Sequence, residues 1–132
     1  MGSSRRRARI LREPTGAQIA VAEVADTSIS RMIGLLGRAG LEAGSGMVLK
    51  PCNMIHTWFM RFPIDVLFVS DDGMIVRAIE ALRPFRVAWG GRRASQTIEL
   101  PVGTLARAGV RSGERVRMEP AEQEALRDRH QR

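Results

Sequence analysis

The sequence has one cysteine, Cys52, one lysine, Lys50, and no long apolar run. A single thiol excludes an intramolecular disulfide and every zinc site that needs two or more thiolates. The longest apolar stretches fall far below the roughly 18–20 residues of a membrane-spanning helix, so no membrane span is expected. Arg5, Arg6, Arg7 and Arg9 are not followed by the apolar region of a secretory signal, because Ile10 and Leu11 give way to Arg12, Glu13 and Pro14. A cytoplasmic location is therefore expected. Gly34-Leu35-Leu36-Gly37 and Gly44-Ser45-Gly46 lack the following Lys-Ser/Thr of a phosphate-binding loop. There is no nucleophile elbow, no pair of carboxylates and no second histidine in the domain, since His130 falls in the tail. No cofactor is expected.

What is present suits one globular domain. The chain has 132 residues, 44% hydrophobic and 27% charged, enough to bury a core without staples. The net charge is +7, and all but one of the 21 basic residues are arginine. Arginine, alanine and glycine together are what a GC-rich genome produces, and such charge bears on solubility and non-specific binding rather than on fold. A sequence-specific nucleic-acid partner is not expected. A small ligand or a protein partner is left open.

Turn residues punctuate the chain at short intervals. Strands are predicted near Arg9–Arg12, Gln18–Val24, Met47–Leu49, Ile64–Val69, Met74–Ile79, Thr97–Leu100 and Arg115–Met118. Asp72-Gly73 reads as a two-residue hairpin turn, and Ile64–Val69, apolar on both faces except for Asp65, as a central strand. Ile29, Met32, Ile33 and Leu36 give one apolar helix face after Thr27 or Ser28, ended by Gly37 and Gly40. A second short helix, Leu105–Ala108, is capped by Thr104 and stopped by Gly109. Residues 81–95 read as a long loop. The expected fold is mainly β, at the margin of α+β: a small closed barrel or sandwich of about seven short strands and two short helices. Residues 9–119 would form the domain, with a mobile basic tail at 1–8 and a frayed helical tail at 120–132.

The most distinctive run is Cys52-Asn53-Met54-Ile55-His56-Thr57-Trp58-Phe59-Met60. If extended, it puts Cys52, Met54, His56, Trp58 and Met60 on one face. Thiolate, thioether and imidazole are ligands for soft metals, which makes Cys52, Met54 and His56 candidate ligands. Strand spacing separates them widely, and Met and free Cys are also common core fillers. Asp65, inside an apolar strand, has two readings. It pairs with His56 as orienter and base, or it is a polar pin that accepts backbone N–H groups. Glu99 is a second carboxylate that could face inward. The segment with Arg83, Arg86, Arg92 and Arg93, interleaved with Phe85 and Trp89, is the best candidate for gripping phosphates and stacking bases. The alternative is a solvated loop whose aromatics tuck onto the domain.

At these residues the sequence resembles the bacterial and archaeal family known as domain of unknown function 192. The segments are Arg31-Met32-Ile33-Gly34-Leu35-Leu36-Gly37-Arg38, Gly46-Met47, His56-Thr57-Trp58-Phe59-Met60, Pro63-Ile64-Asp65-Val66-Leu67-Phe68, Asp72-Gly73, Leu100-Pro101-Val102-Gly103-Thr104 and Gly109-Val110-Arg111-Ser112-Gly113-Glu114. The resemblance spans about residues 15–118. It implies a compact, mainly β fold and no established activity. It carries over Arg31, Gly34, His56, Met60, Asp65 and Glu99 as motif positions without assigning their roles. Many members have an export leader and a Trp-Met-Lys-Asn-Thr stretch. This chain has Phe59-Met60-Arg61-Phe62-Pro63 with the His-Thr variant and no such leader is read in it, so an envelope location is not the expectation.

The leading expectation is a non-enzymatic ligand-binding or accessory module, with Trp58, Met60, Arg31 and Glu99 as candidate binding residues. One alternative is a metal-dependent or hydrolytic enzyme using His56 and Asp65. Another is an anionic-partner or nucleic-acid binder acting through Arg83–Arg93.

Overall fold

The computed structural model describes residues 6–25 and 41–121. The helix expected after Thr27, with Arg31, and the tail helix after Pro120 lie outside them. Among the described residues ten elements follow one another: β1 (Arg7–Arg12), β2 (Ala17–Ala25), β3 (Ser45–Leu49), β4 (Met54–His56), β5 (Ile64–Ser70), β6 (Ile75–Leu82), β7 (Val87–Trp89), β8 (Ala94–Pro101), α1 (Thr104–Ala108) and β9 (Val116–Pro120).

Seven strands make one sheet in the order β6-β5-β8-β3-β2-β1-β9. The β2–β3 pair is parallel and the other pairings are antiparallel. Strand twist curls the sheet until its two edges meet at one end. There Met74 bridges Arg115, the Ile75 N–H donates to the Glu114 carbonyl at 2.8 Å, and the Val116 N–H donates to that of Gly73 at 2.9 Å. The result is a partly closed barrel, as the alternating apolar pattern predicts.

The inner face is lined by Ile10, Val48, Leu67, Val69, Ile98 and Leu100, all nearly or fully buried. Helix α1 plugs this core with Leu105, and Gly109 ends the helix in the left-handed region at φ 69°. The outer face of β3, β5 and β8 carries a second core with Met47, Leu49, Val66 and Phe68. It is covered by a separate antiparallel ribbon of β4 and β7, which contributes Ile55 and Ala88. The ribbon sits very close to the sheet at Gly90. A Cβ there would come within 2.4 Å of the Phe68 ring, so only glycine fits.

Three local expectations need correction. The β5–β6 hairpin turns through Asp71, Asp72 and Gly73 rather than through two residues. The Gly73 N–H donates to the Ser70 carbonyl and the Ser70 N–H to that of Met74, with Gly73 at φ 87°. This is a type I turn followed by a left-handed glycine. Residues 81–95 are not one long loop, because they end β6, form β7 and begin β8. The run 52–60 is a strand only over Met54–His56.

Candidate functional site

The ribbon has two unlike faces because β-strand side chains alternate. Ile55 and Ala88 point into the outer core. Met54 stands opposite Trp89 and His56 opposite Val87, and all four are exposed. The face expected to gather Cys52, Met54, His56, Trp58 and Met60 therefore splits. Met54, His56 and Trp58 face solvent, Met60 turns into the outer core, and Cys52 packs beside that core. The Cys52 thiol donates to the Met54 carbonyl at 3.2 Å. Alternation fails past His56 because the strand ends there. Of the candidate ligands, Cys52 packs on the outer core while Met54 and His56 face solvent. Among the described residues, no group of three or more His, Cys, Asp or Glu side chains could hold a metal ion.

Thr57 is the pivot of the next turn. Its side chain is fully buried, donates to the Arg83 carbonyl at 2.6 Å and accepts from the Arg86 N–H at 2.9 Å. Its own N–H donates to the Arg86 carbonyl, and its carbonyl accepts from Phe85 N–H. One hydroxyl thus ties the segment 83–86 to the end of β4. The tie brings three rings into a row with His56. Ring centroids lie 6.1 Å apart for His56 and Trp58, 5.9 Å for Trp58 and Phe85, and 5.8 Å for Phe59 and Phe85. The Trp58 N–H also donates to His56 Nδ1 at 3.3 Å. Phe59 is 75% exposed and Phe85 50%, and each has a positive φ, 67° and 61°. Bulky side chains rarely adopt that region, which costs of order 1–3 kcal/mol per residue.

Four of the chain's six aromatic residues, Trp58, Phe59, Phe85 and Trp89, thus face solvent. Only Phe68 is fully buried. Large aromatics ordinarily supply core area, and these four do not.

The charge follows the same segments. Residues 43–64 and 81–98 contain Lys50, Arg61, Arg83, Arg86, Arg92 and Arg93 and no Asp or Glu. Setting these six aside leaves 15 of the chain's 21 basic residues against its 14 acidic ones, so nearly all the net charge of +7 sits here. Among the described residues none of the six forms an ion pair. Arg77 of β6 donates to the Trp89 carbonyl at 2.8 Å and fixes the far end of the ribbon.

The two candidate carboxylates lie elsewhere. Asp65 is fully buried on the inner side, paired with Leu100. Its Oδ1 accepts from the Ala81 N–H at 2.9 Å, and its Oδ2 from the N–H groups of Gly103 at 3.1 Å and Leu105 at 3.0 Å. Thr104, expected to cap helix α1, is instead its first residue; the N-cap is Gly103, and the helix has no side-chain cap of its own. Asp65 supplies that cap from β5, and it also holds Ala81, whose φ is 53°, in the β5–β6 irregularity. Asp65 is thus a polar pin for backbone N–H groups. His56 stands on the exposed side of a ribbon that covers the opposite face of the sheet, so the structure does not assemble a His56–Asp65 acid–base pair. Glu99 faces the outer core between Met47 and Val66, with no side-chain partner among the described residues. Burial pushes its pKa up from 4.5 to about 7.

Sequence reasoning singled out His56 and Trp58 in one candidate cluster and Phe85, Trp89 and the four arginines in another, and it did not join the two. It missed Thr57 and Gly90 as supports, and it put Phe59 on the face opposite Trp58. The available signal was the carboxylate-free stretch on both sides of the ribbon. Nothing local announces a positive φ at a phenylalanine.

With the fold and this surface defined, comparison with known proteins places the chain in a class of small, mainly β domains without an assigned activity. It belongs to the family DUF192, described as "Uncharacterized ACR", whose model matches residues 10–118. A comparison with curated proteins finds no match. Two solved structures are similar. A Sinorhizobium meliloti protein described as a "putative transcription regulator" is 25% identical with a TM-score of 0.74, over 89% of this chain and 96% of its own. A Novosphingobium aromaticivorans protein of unknown function is 22% identical with a TM-score of 0.70, over 84% of this chain and 83% of its own. The second likeness is one of fold alone.

Proposed function

We propose that this chain is a non-enzymatic binding module whose contact surface is the outward face of the β4–β7 ribbon, extended by Trp58, Phe59 and Phe85. The observation that carries this reading is the pair of exposed phenylalanines held at positive φ. A fold selected for stability alone would place glycine there, and strain kept at an exposed site points to use of the side chain. Among the described residues, cysteine, histidine and carboxylate side chains do not gather in a group of three beside these rings, and binding is the chemistry the rings themselves support.

The test needs no ligand. In the double variant Phe59→Gly/Phe85→Gly, relief of strain offsets the lost ring contacts and the added freedom of the unfolded chain. The melting temperature is expected to stay level or rise. A fall of more than about 4 °C, roughly 1 kcal/mol for a domain of this size, would make the rings part of the core and overturn the reading.

A further inference from the structure

We propose that the ribbon binds a single strand of nucleic acid, by stacking its bases and without sequence preference. This inference rests on the reading of the ribbon as a binding face and names its ligand. Its ground is the coincidence of two features on the same segments. Trp58, Phe59 and Phe85 form a row with His56 at centroid spacings near 6 Å, and Trp89 stands at the other end of the ribbon. Every base offers a π-face, so exposed rings take unpaired bases irrespective of sequence.

The second feature is charge. Arg83 and Arg86 lie at the Thr57 end of β7, while Arg92 and Arg93 follow Gly91, whose carbonyl accepts from Asn53 at the other end. Cations flank the rings on both sides, as a linear polyanion requires. With no carboxylate in residues 43–64 or 81–98, nothing on these segments repels it. Arginine suits the task, since it grips phosphate through paired donors and stacks on flat rings. A neutral sugar would have no use for the four flanking arginines. A duplex keeps its bases stacked on one another and would leave the rings idle.

The two tryptophans of the chain, Trp58 and Trp89, both lie on this face, so intrinsic fluorescence reports on it directly. The full chain is titrated at low salt with an oligothymidylate of about 15 nucleotides. Parallel titrations use an abasic strand of equal length, a duplex, heparin and phosphatidylserine vesicles. The inference expects quenching by oligothymidylate with an affinity about 10-fold or more above that for the abasic strand, a single stacked base sufficing for that factor. It expects Phe85→Ala/Trp89→Ala to lose most of that preference while keeping its melting temperature. Arg83→Gln/Arg92→Gln should lower the slope of log affinity against log salt by about 1.4, at roughly 0.7 per phosphate contact. Equal binding of the abasic strand and heparin, preference for vesicles or duplex, or no binding of oligothymidylate would each overturn it. If it falls while Phe59→Gly/Phe85→Gly keeps its melting temperature, the ribbon remains a binding face for another partner, such as a protein. If both fail, the binding reading falls too.

Discussion

Asp65 shows how one buried charge can serve three backbone donors. It lies in an apolar strand, yet its two oxygens satisfy N–H groups from Ala81, Gly103 and Leu105. A carboxylate is acceptor-only, and that is what this position needs. In Asp65→Asn the amide NH2 must face at least one of those donors. We expect a loss of about 2–3 kcal/mol in denaturant unfolding, with the fold retained. A neutral effect would contradict the pinning role. Glu99 is the opposite case, a buried carboxyl without a side-chain partner among the described residues. Its folded pKa of about 7 lies above the ordinary 4.5. Below pH 4.5 both the folded and unfolded states hold the proton. As pH rises from there through 7, the unfolded chain releases it first, and stability falls by up to about 3 kcal/mol. Glu99→Gln removes this dependence, so its advantage over the wild type should grow between pH 4 and pH 8 in urea titrations. A constant difference across that range would contradict the burial argument.

The ribbon is an element of two three-residue strands, too small to stand alone. It is held by contacts at its ends rather than by its own ladder. Thr57 ties it to segment 83–86, Asn53 to Gly91, and Arg77 to the Trp89 carbonyl. Gly90 allows its approach to Phe68. In Gly90→Ala the added methyl meets ring and Cβ atoms of Phe68 at 2.4–2.6 Å, with no flexible end to yield. A cost of about 1–3 kcal/mol is expected, read as a lower melting temperature. The same small size explains why β7 escaped the sequence reading. Val87-Ala88-Trp89 between an arginine and a glycine pair offers too short an alternation to separate from a loop. Asp72-Gly73 misled for a different reason. Ser70 closes the hairpin one residue earlier, with its hydroxyl bonded to the Asp72 carboxylate, and dipeptide statistics do not see that contact.

For the whole molecule, the large periodic features were legible. The buried run Ile64–Val69 is a central strand between β6 and β8, Gly109 ends α1, and the seven-stranded curled sheet is the small barrel the pattern implied. Strand order was not legible, because pairings such as β1 with β9 join residues far apart in the chain. The candidate surface was half legible. His56, Trp58, Phe85, Trp89 and the arginines stood out by type, but only the fold shows that segments 54–59 and 83–93 share one face. Asp65 and His56, adjacent in a sequence argument, are separated by a β-sheet. Two cores use the two faces of that sheet, and the ribbon that closes the outer core turns its aromatic side to water. The most direct measurement is the pair of melting temperatures of Phe59→Gly/Phe85→Gly and Gly90→Ala against the wild type in one buffer. Opposite behaviour is expected, level or higher for the outward variant and lower for the inward one. Equal losses in both would mean that the ribbon's outer rings stabilise the fold like its inner face, and the binding surface would be contradicted.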